Sequence, residues 1–182
     1  YINSLNVTPS EGTMLNKMFT NWIDGSNSST TGQTKGAASL FFKVDGTFRE
    51  SDDFVKIAEK VRQKGAKLVV DSNKDMVLNT LKCKPFIVKP NEFELGEMFG
   101  VELSTIEDIK KYAGKLQEMG AQNVLVSRGS KGAILFTSTG EVLGANIAKG
   151  KVVSTIAAGD SMLAMFVAKY DETKDFRLSL QY

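Results

Sequence analysis

From residue 51 onward the apolar positions alternate between two rhythms. In residues 51–65, Phe54, Ile57, Ala58 and Val61 share one helical face, with Ser51 able to cap the start and Gly65 to end it. The next apolar run, KLVVD at 67–71, is too short for a helix and reads as a buried strand. A helix is then predicted at about 74–81, a strand at 85–88 and a helix at 92–99 stopped by Gly100. Ser104-Thr105-Ile106-Glu107 has the spacing of a capping box. It would open a helix that turns Ile106, Ile109, Ala113 and Leu116 inward, with Gly120 just past its end. A strand follows at 123–127.

Strands alternating with helices in this way predict an α/β fold, a mostly parallel sheet with helices on both faces. After Ser127 the rhythm changes: a turn at 128–132 leads into 133–137, and Thr139-Gly140 turns again into 141–143. Those two short runs predict an antiparallel edge on the sheet. A last strand near 151–154 delivers the chain to a helix whose apolar positions are Met162, Leu163, Phe166, Val167 and Tyr170.

Residues 1–50 are less regular. The pattern suggests a strand at 1–7, a helix at 13–23 around Met14, Leu15, Met18, Phe19 and Trp22, and a Gly/Ser/Thr-rich loop at 25–39. The loop's GQTKG at 32–36 lacks the spacing of a Walker phosphate loop. Asp45-Gly46, flanked by 40–44 and 47–49, is a hairpin signal. The expected division is therefore 1–50 and 51–182.

Composition narrows the chemistry. With 182 residues, 42% of them hydrophobic and 24% charged, the chain can bury a core of its own. A net charge of +2 without a basic run argues against a nucleic-acid partner. No apolar run approaches the ~20 residues of a membrane span and no signal-peptide pattern is present, so no membrane partner and a cytoplasmic location are expected. One cysteine, Cys83, rules out an internal disulfide, and the absence of histidine removes Ser-His-Asp, Cys-His and Cys/His zinc chemistry. Carboxylates, lysines, hydroxyls and backbone dipoles remain, a set suited to phosphoryl transfer.

The stretch STIAAGDSMLAMF at 154–166 is where such chemistry would sit. Small residues lead into a helix start, where unpaired N–H groups and the macrodipole favour a phosphate. Asp160 at that start either caps the helix or accepts a proton from a nucleophile attacking the phosphate. Two more loops leave the carboxyl ends of predicted strands, where ligands bind in open α/β sheets: 89–94 (KPNEFE) and 127–132 (SRGSKG). Taken singly, Asn91-x-x-Glu94 is also a capping box and the Gly129/Gly132 turn is also a hairpin.

Together, in this order and spacing, KLVVDSN (67–73), KPFIVKPNEFEL (84–95), AQNVLVSRGSKGAILF (121–136) and STIAAGDSMLAMF (154–166) resemble the phosphofructokinase-B branch of the ribokinase-like sugar kinases. Within it the chain looks most like the bacterial 1-phosphofructokinase and tagatose-6-phosphate kinase group. The resemblance covers 51–182 and implies an ATP- and Mg2+-dependent kinase of a small-molecule sugar phosphate, fructose 1-phosphate first and tagatose 6-phosphate second. It implies Asp160 as the catalytic base and the N–H groups of Ala157, Ala158, Gly159 and Asp160 as an anion hole. Asn91 and Glu94 would organise magnesium through water, and Ser127, Gly129 and Gly132 would belong to the nucleotide loop. Lys89 is near enough to assist with phosphate. A homodimer is the assembly the resemblance allows.

The chain departs from the family pattern in several places. Ala157 stands where the family usually has the first glycine of Gly-Ala-Gly-Asp; if that position needs a positive φ, the Cβ costs roughly 1–2 kcal/mol. Met165 stands where a small glycine is usual and would be expected to push the helix off its neighbour. No counterpart of the family's N-terminal sugar-binding motif is found in 1–50, where only fragments of the first strand, lid and sugar site are expected, and no sugar-binding residue is assigned. The family's lid and C-terminal helices have no readable counterpart either, and the sequence is expected to be part of a longer chain. Two rival readings are a relative that binds nucleotide or sugar phosphate without turnover, and a structural module with capped helices and no ligand.

Overall fold

Alternation along the strands decides which helix covers which face of the sheet. In the computed structural model, which describes residues 51–147 and 158–181, five strands are hydrogen-bonded in the order β1-β2-β3-β4-β5. They are β1 (Val69–Val70), β2 (Ile87–Val88), β3 (Asn123–Ser127), β4 (Ala133–Phe136) and β5 (Val142–Ala145). The first three run parallel, with Val70 beside Val88 and Val88 beside Val124. β4 returns antiparallel to β3, pairing Leu135 with Leu125, and β5 continues antiparallel with Leu143 beside Leu135. The parallel sheet and antiparallel edge expected from the sequence are both present.

Because strand side chains alternate, Val70, Val88, Val124, Val126, Ile134 and Phe136 point to one face. There they meet Val77 of α2 (Lys74–Thr80), Leu95 and Met98 of α3 (Glu92–Phe99), and Ile109, Ala113 and Leu116 of α4 (Ile106–Glu118). Ile87, Leu125, Ala133, Leu135 and Leu143 point to the other face, against Leu163, Phe166 and Val167 of α5 (Ala158–Thr173). A short α6 (Phe176–Leu180) closes this side, stacking Phe176 on Tyr170 with ring centroids 4.5 Å apart. Each fully buried Leu or Phe contributes about 1.5–3 kcal/mol by leaving water, so the two apolar faces hold the sheet between its helices. α1 (Ser51–Gln63), with Val55 and Ala58 buried, lies in a separate compact unit, Tyr1–Ala66, and the sheet lies in Lys67–Tyr182.

Several boundaries differ from expectation. The capping box of α4 is one residue later than the sequence spacing suggests: the Thr105 hydroxyl accepts from the Asp108 N–H at 3.0 Å, and the Asp108 carboxylate accepts from the Thr105 N–H at 3.0 Å. Glu107 therefore projects to solvent, and Ile106, expected inward, is 50% exposed as the first residue of the helix. β5 starts at Val142 because Gly140 completes the turn with Thr137. The expected elements in 1–50 and the strand at 151–154 lie outside the described residues, as does Ala157. Among the described residues, no helix is long and apolar enough to cross a membrane.

Candidate active site

The parallel strands end together at one edge of the sheet, and the residues that follow them converge. Asp71 follows β1, and Lys89 follows β2, its N–H bonded to the Val70 carbonyl at 3.0 Å. The Lys89 ammonium reaches Asp71 Oδ2 at 3.0 Å, and Lys89 is only 7% exposed. A buried ammonium needs such a partner, since desolvation without one costs several kcal/mol.

α5 begins beside this pair. A Cβ on Gly159 would lie 3.2 Å from Lys89 Nζ, so the ammonium packs directly beneath the first turn of the helix. The missing side chain at 159 is what lets the two approach. α5 starts at Ala158, earlier than the apolar pattern from Met162 suggests, and Asp160 is half-buried within its first turn. The N–H groups of Ala158, Gly159 and Asp160 lie in the first turn of the helix, where the macrodipole is positive.

Three carboxylates share this corner. Burial pushes the Asp71 carboxyl above its ordinary value; the adjacent Lys89 charge and hydrogen bond oppose that shift, and the carboxylates of Asp160 and Glu94 add to it. Asp160 and Glu94 are therefore each close enough for Asp71 to feel their charge, and Lys89 is the ammonium that pairs with Asp71.

The loop after β2 is stitched to the loop after β3. Ser127 N–H donates to the Pro90 carbonyl at 3.0 Å, and Asn91 and Ser127 form an isolated parallel bridge. Asn91 then caps α3: its Oδ1 accepts from Glu94 N–H and Glu94 Oε2 accepts from Asn91 N–H, both at 2.8 Å. Beyond Ser127, Arg128 N–H bonds the Gly132 carbonyl at 2.8 Å and closes a tight loop with Gly129 at φ 54° and Gly132 at φ 84°. The side chains of Glu92 and Arg128 meet across the two loops, with Nε 2.6 Å from Oε1.

This arrangement offers helix-start donors for an anion, a carboxylate beside them, and two glycine- or asparagine-bearing loops alongside. Comparison with known proteins identifies its class. The model of the pfkB family carbohydrate kinases matches residues 38–182. The chain belongs to this family. Its fold is accordingly ribokinase-like, and 1-phosphofructokinase from Bacillus subtilis is 44% identical over 117 residues, covering 64% of this chain and 38% of that protein. D-tagatose-1-phosphate kinase from Bacillus licheniformis is 39% identical over 121 residues, covering 66% of this chain and 40% of that protein. The structure of Arabidopsis thaliana ribokinase complexed with ribose and ATP superposes with a TM-score of 0.63 at 27% identity, over 72% of this chain and 43% of that one. The chain spans about two fifths of the length of the curated relatives it matches.

Of the residues singled out in the sequence, Asn91 and Glu94 are joined in a capping box, Ser127 is bridged to Asn91, and Asp160 and Glu94 each lie within electrostatic reach of Asp71. Gly129 and Gly132 belong to the loop that Arg128 closes. Asp71 was not assigned a role, although its position at the carboxyl end of the KLVVD strand was a sufficient signal. Met165 does not press on the core as expected: it is 50% exposed, on the side of α5 away from Leu163, Phe166 and Val167.

The donor set suits a hard, hydrated cation. The side chains of Asn91, Glu94, Asp71 and Asp160 can each present an oxygen ligand, the type magnesium takes, and among the described residues no group of three or more His, Cys, Asp or Glu side chains is arranged to hold a metal ion.

Proposed function

We propose that this chain carries the phosphoryl-transfer core of an ATP-dependent kinase acting on a ketose phosphate, with fructose 1-phosphate as substrate and fructose 1,6-bisphosphate as product. The observation that carries the reading is Asp160 in the first turn of α5, at the same sheet end as Asn91, Glu94 and the 127–132 loop, in a chain of the pfkB family. The sequence resemblance points to tagatose 6-phosphate as the second substrate, whereas the tagatose kinase among the relatives is named for the 1-phosphate. Fructose 1-phosphate and tagatose 1-phosphate share the ketohexose 1-phosphate framework, which makes tagatose 1-phosphate the better second candidate.

The reaction assigns a task to each group. A sugar hydroxyl oxygen attacks the γ-phosphorus of ATP, the bond to the β–γ bridging oxygen breaks, and ADP leaves with that electron pair. Asp160 receives the hydroxyl proton. The N–H groups of Ala158, Gly159 and Asp160, with Ala157 added by the family pattern, hold the charge on the transferring group. Asn91 and Glu94 would hold magnesium through water, and the ion supplies charge neutralisation at the ATP phosphates. Ser127, Gly129 and Gly132 form the loop proposed to receive the nucleotide.

The test is ADP release from ATP and Mg2+ with fructose 1-phosphate, tagatose 1-phosphate and tagatose 6-phosphate in parallel, comparing the chain with Asp160→Asn. Loss of the base is expected to lower kcat by about 10²–10⁴ while ATP binding is retained. Binding of ATP without turnover of any of the three sugars would favour the second reading, a nucleotide-binding relative, for which Ala157 in place of the usual glycine is the supporting observation. A homodimer is part of the same proposal, and light scattering of the purified chain tests it.

A further inference from the structure

Glu92 and Arg128 belong to two segments with separate tasks in the proposed reaction: Glu92 lies within the Asn91-x-x-Glu94 turn, and Arg128 lies within the Ser127–Gly132 loop. Their side chains nevertheless meet, Nε to Oε1 at 2.6 Å, in the short range of a charge-assisted hydrogen bond. The Arg128 side chain is only 15% exposed, unlike Lys131 of the same loop, which is 65% exposed and lies 3.7 Å from the other Glu92 oxygen.

The surroundings restrict both partners. Glu92 is the first residue of α3, fixed by the capping box of Asn91 and Glu94 on either side of it. Arg128 is fixed by the Ser127 N–H bond to Pro90 on one side and its own N–H bond to the Gly132 carbonyl on the other. Gly129, Ser130 and Lys131 are exposed between these anchors, and Gly129 carries a left-handed φ of 54°. Beyond its two backbone anchors, the loop is tied to α3 by Glu92. An exposed ion pair contributes little, whereas a mostly buried guanidinium on a carboxylate pre-set by a helix cap loses less side-chain entropy on pairing.

We infer that Glu92 and Arg128 are positioning residues that lock the nucleotide loop to the magnesium-organising turn, so that the two are presented to the nucleotide as one preformed surface. The inference rests on the kinase reading for the identity of the ligand and on the ion-pair geometry for the link itself. Without the pair, the loop must be ordered when nucleotide binds, and that cost appears as weaker binding. The bond-making step is unaffected, because neither residue is assigned to the reacting atoms.

The experiment is a double-mutant cycle on the full chain with Glu92→Gln, Arg128→Gln and the two combined, read by calorimetric binding of MgADP and by amide hydrogen exchange across residues 127–132. Each single substitution is expected to weaken MgADP binding by at least about fivefold, the lower end of typical coupling between linked sites. The double variant should bind no more weakly than the weaker single one. Exchange at 129–131 should quicken in all three variants while α4 and β3 keep their protection. Lys110→Gln, on the exposed side of α4 and outside the loop, serves as the control and should change binding less than twofold. In the turnover assay the singles should raise the ATP KM and leave kcat within about twofold. Independent, multiplying effects of the two substitutions would overturn the inference, and so would unchanged binding and exchange. Failure of the unmodified chain to bind MgADP overturns the kinase reading and the nucleotide part of this inference together. Tight binding that neither substitution alters overturns the inference alone.

Discussion

At Lys89 one side chain meets two demands. Its ammonium neutralises Asp71 at 3.0 Å in a corner that also contains Asp160 and Glu94, and it packs beneath Gly159 where α5 begins. Lys89→Met keeps most of the apolar stem but leaves the Asp71 carboxylate without its cation. Breaking a buried pair from one side costs about 3–5 kcal/mol when both partners are fully buried. Asp71 retains some contact with water, so a loss of roughly 2–3 kcal/mol is expected in urea unfolding. Adding Asp71→Asn to that variant should recover part of the loss, because the uncompensated charge is then gone; a further drop would show that the pair is not the source.

Gly132 carries a constraint of a different kind. It sits at φ 84°, and a Cβ there would lie 1.9 Å from the Ala145 carbonyl oxygen, a backbone atom with no freedom to swing away. Gly132→Ala combines that clash with a strained φ and is expected to cost on the order of 2–4 kcal/mol. The measurement is the urea midpoint, with the loss of β4–β5 protection in hydrogen exchange locating the damage.

Among the elements, α4 shows how a cap becomes a pH dependence. The Asp108 carboxyl is held below its ordinary 3.8 by the Thr105 hydroxyl first, then by the N–H groups of Thr105 and Ser104. A carboxyl with a lowered folded value contributes stability that is present above the unfolded value and lost as pH falls through the folded one. Thermal unfolding followed from pH 6 downward should therefore show the unmodified chain losing its advantage over Asp108→Asn below about pH 4. Asp71 and Asp171 titrate in both chains, so the difference isolates Asp108. A constant difference across the range would assign the cap to geometry alone.

α5 shows how packing serves chemistry. Phe166, 2% exposed, belongs to the core cluster that holds the helix against the sheet together with Leu125 and Leu135, less than two turns from Asp160. Phe166→Ala is expected to cost about 3–5 kcal/mol. Because the helix start would lose its fixed place, turnover should fall more than MgADP binding does, a split that steady-state kinetics and calorimetry separate.

At the scale of the Lys67–Tyr182 unit, the parallel half of the sheet carries the candidate site and the antiparallel half forms a flank. Asp71, Lys89, Asn91 and Ser127 all stand at carboxyl ends of β1, β2 and β3, and the hairpin of β4 and β5 extends the buried face against which α5 packs. Much of this was legible in the residues because its causes are local. Periodicity of apolar positions marked α3 and β3 at their observed limits, and glycines marked the turns. Anion-binding potential at the start of α5 follows from backbone N–H groups that any helix start leaves unpaired. The register of the α4 cap was misplaced by one residue because Ser104 with Glu107 and Thr105 with Asp108 are equally good capping spacings; which pair forms depends on where packing of Ile109, Ala113 and Leu116 sets the helix.

The sequence by itself determined the class of fold, the order of its elements and the three loops that carry carboxylate, amide and glycine, since each depends on interactions within a few residues. Only the tertiary structure decided that Lys89 is spent on Asp71, that Met165 faces out of the core, and that Glu92 holds Arg128. These pairings join residues distant along the chain, brought together when strand alternation places two apolar faces under their helices. A charge that leaves water must then be met by whichever partner the fold has placed beside it.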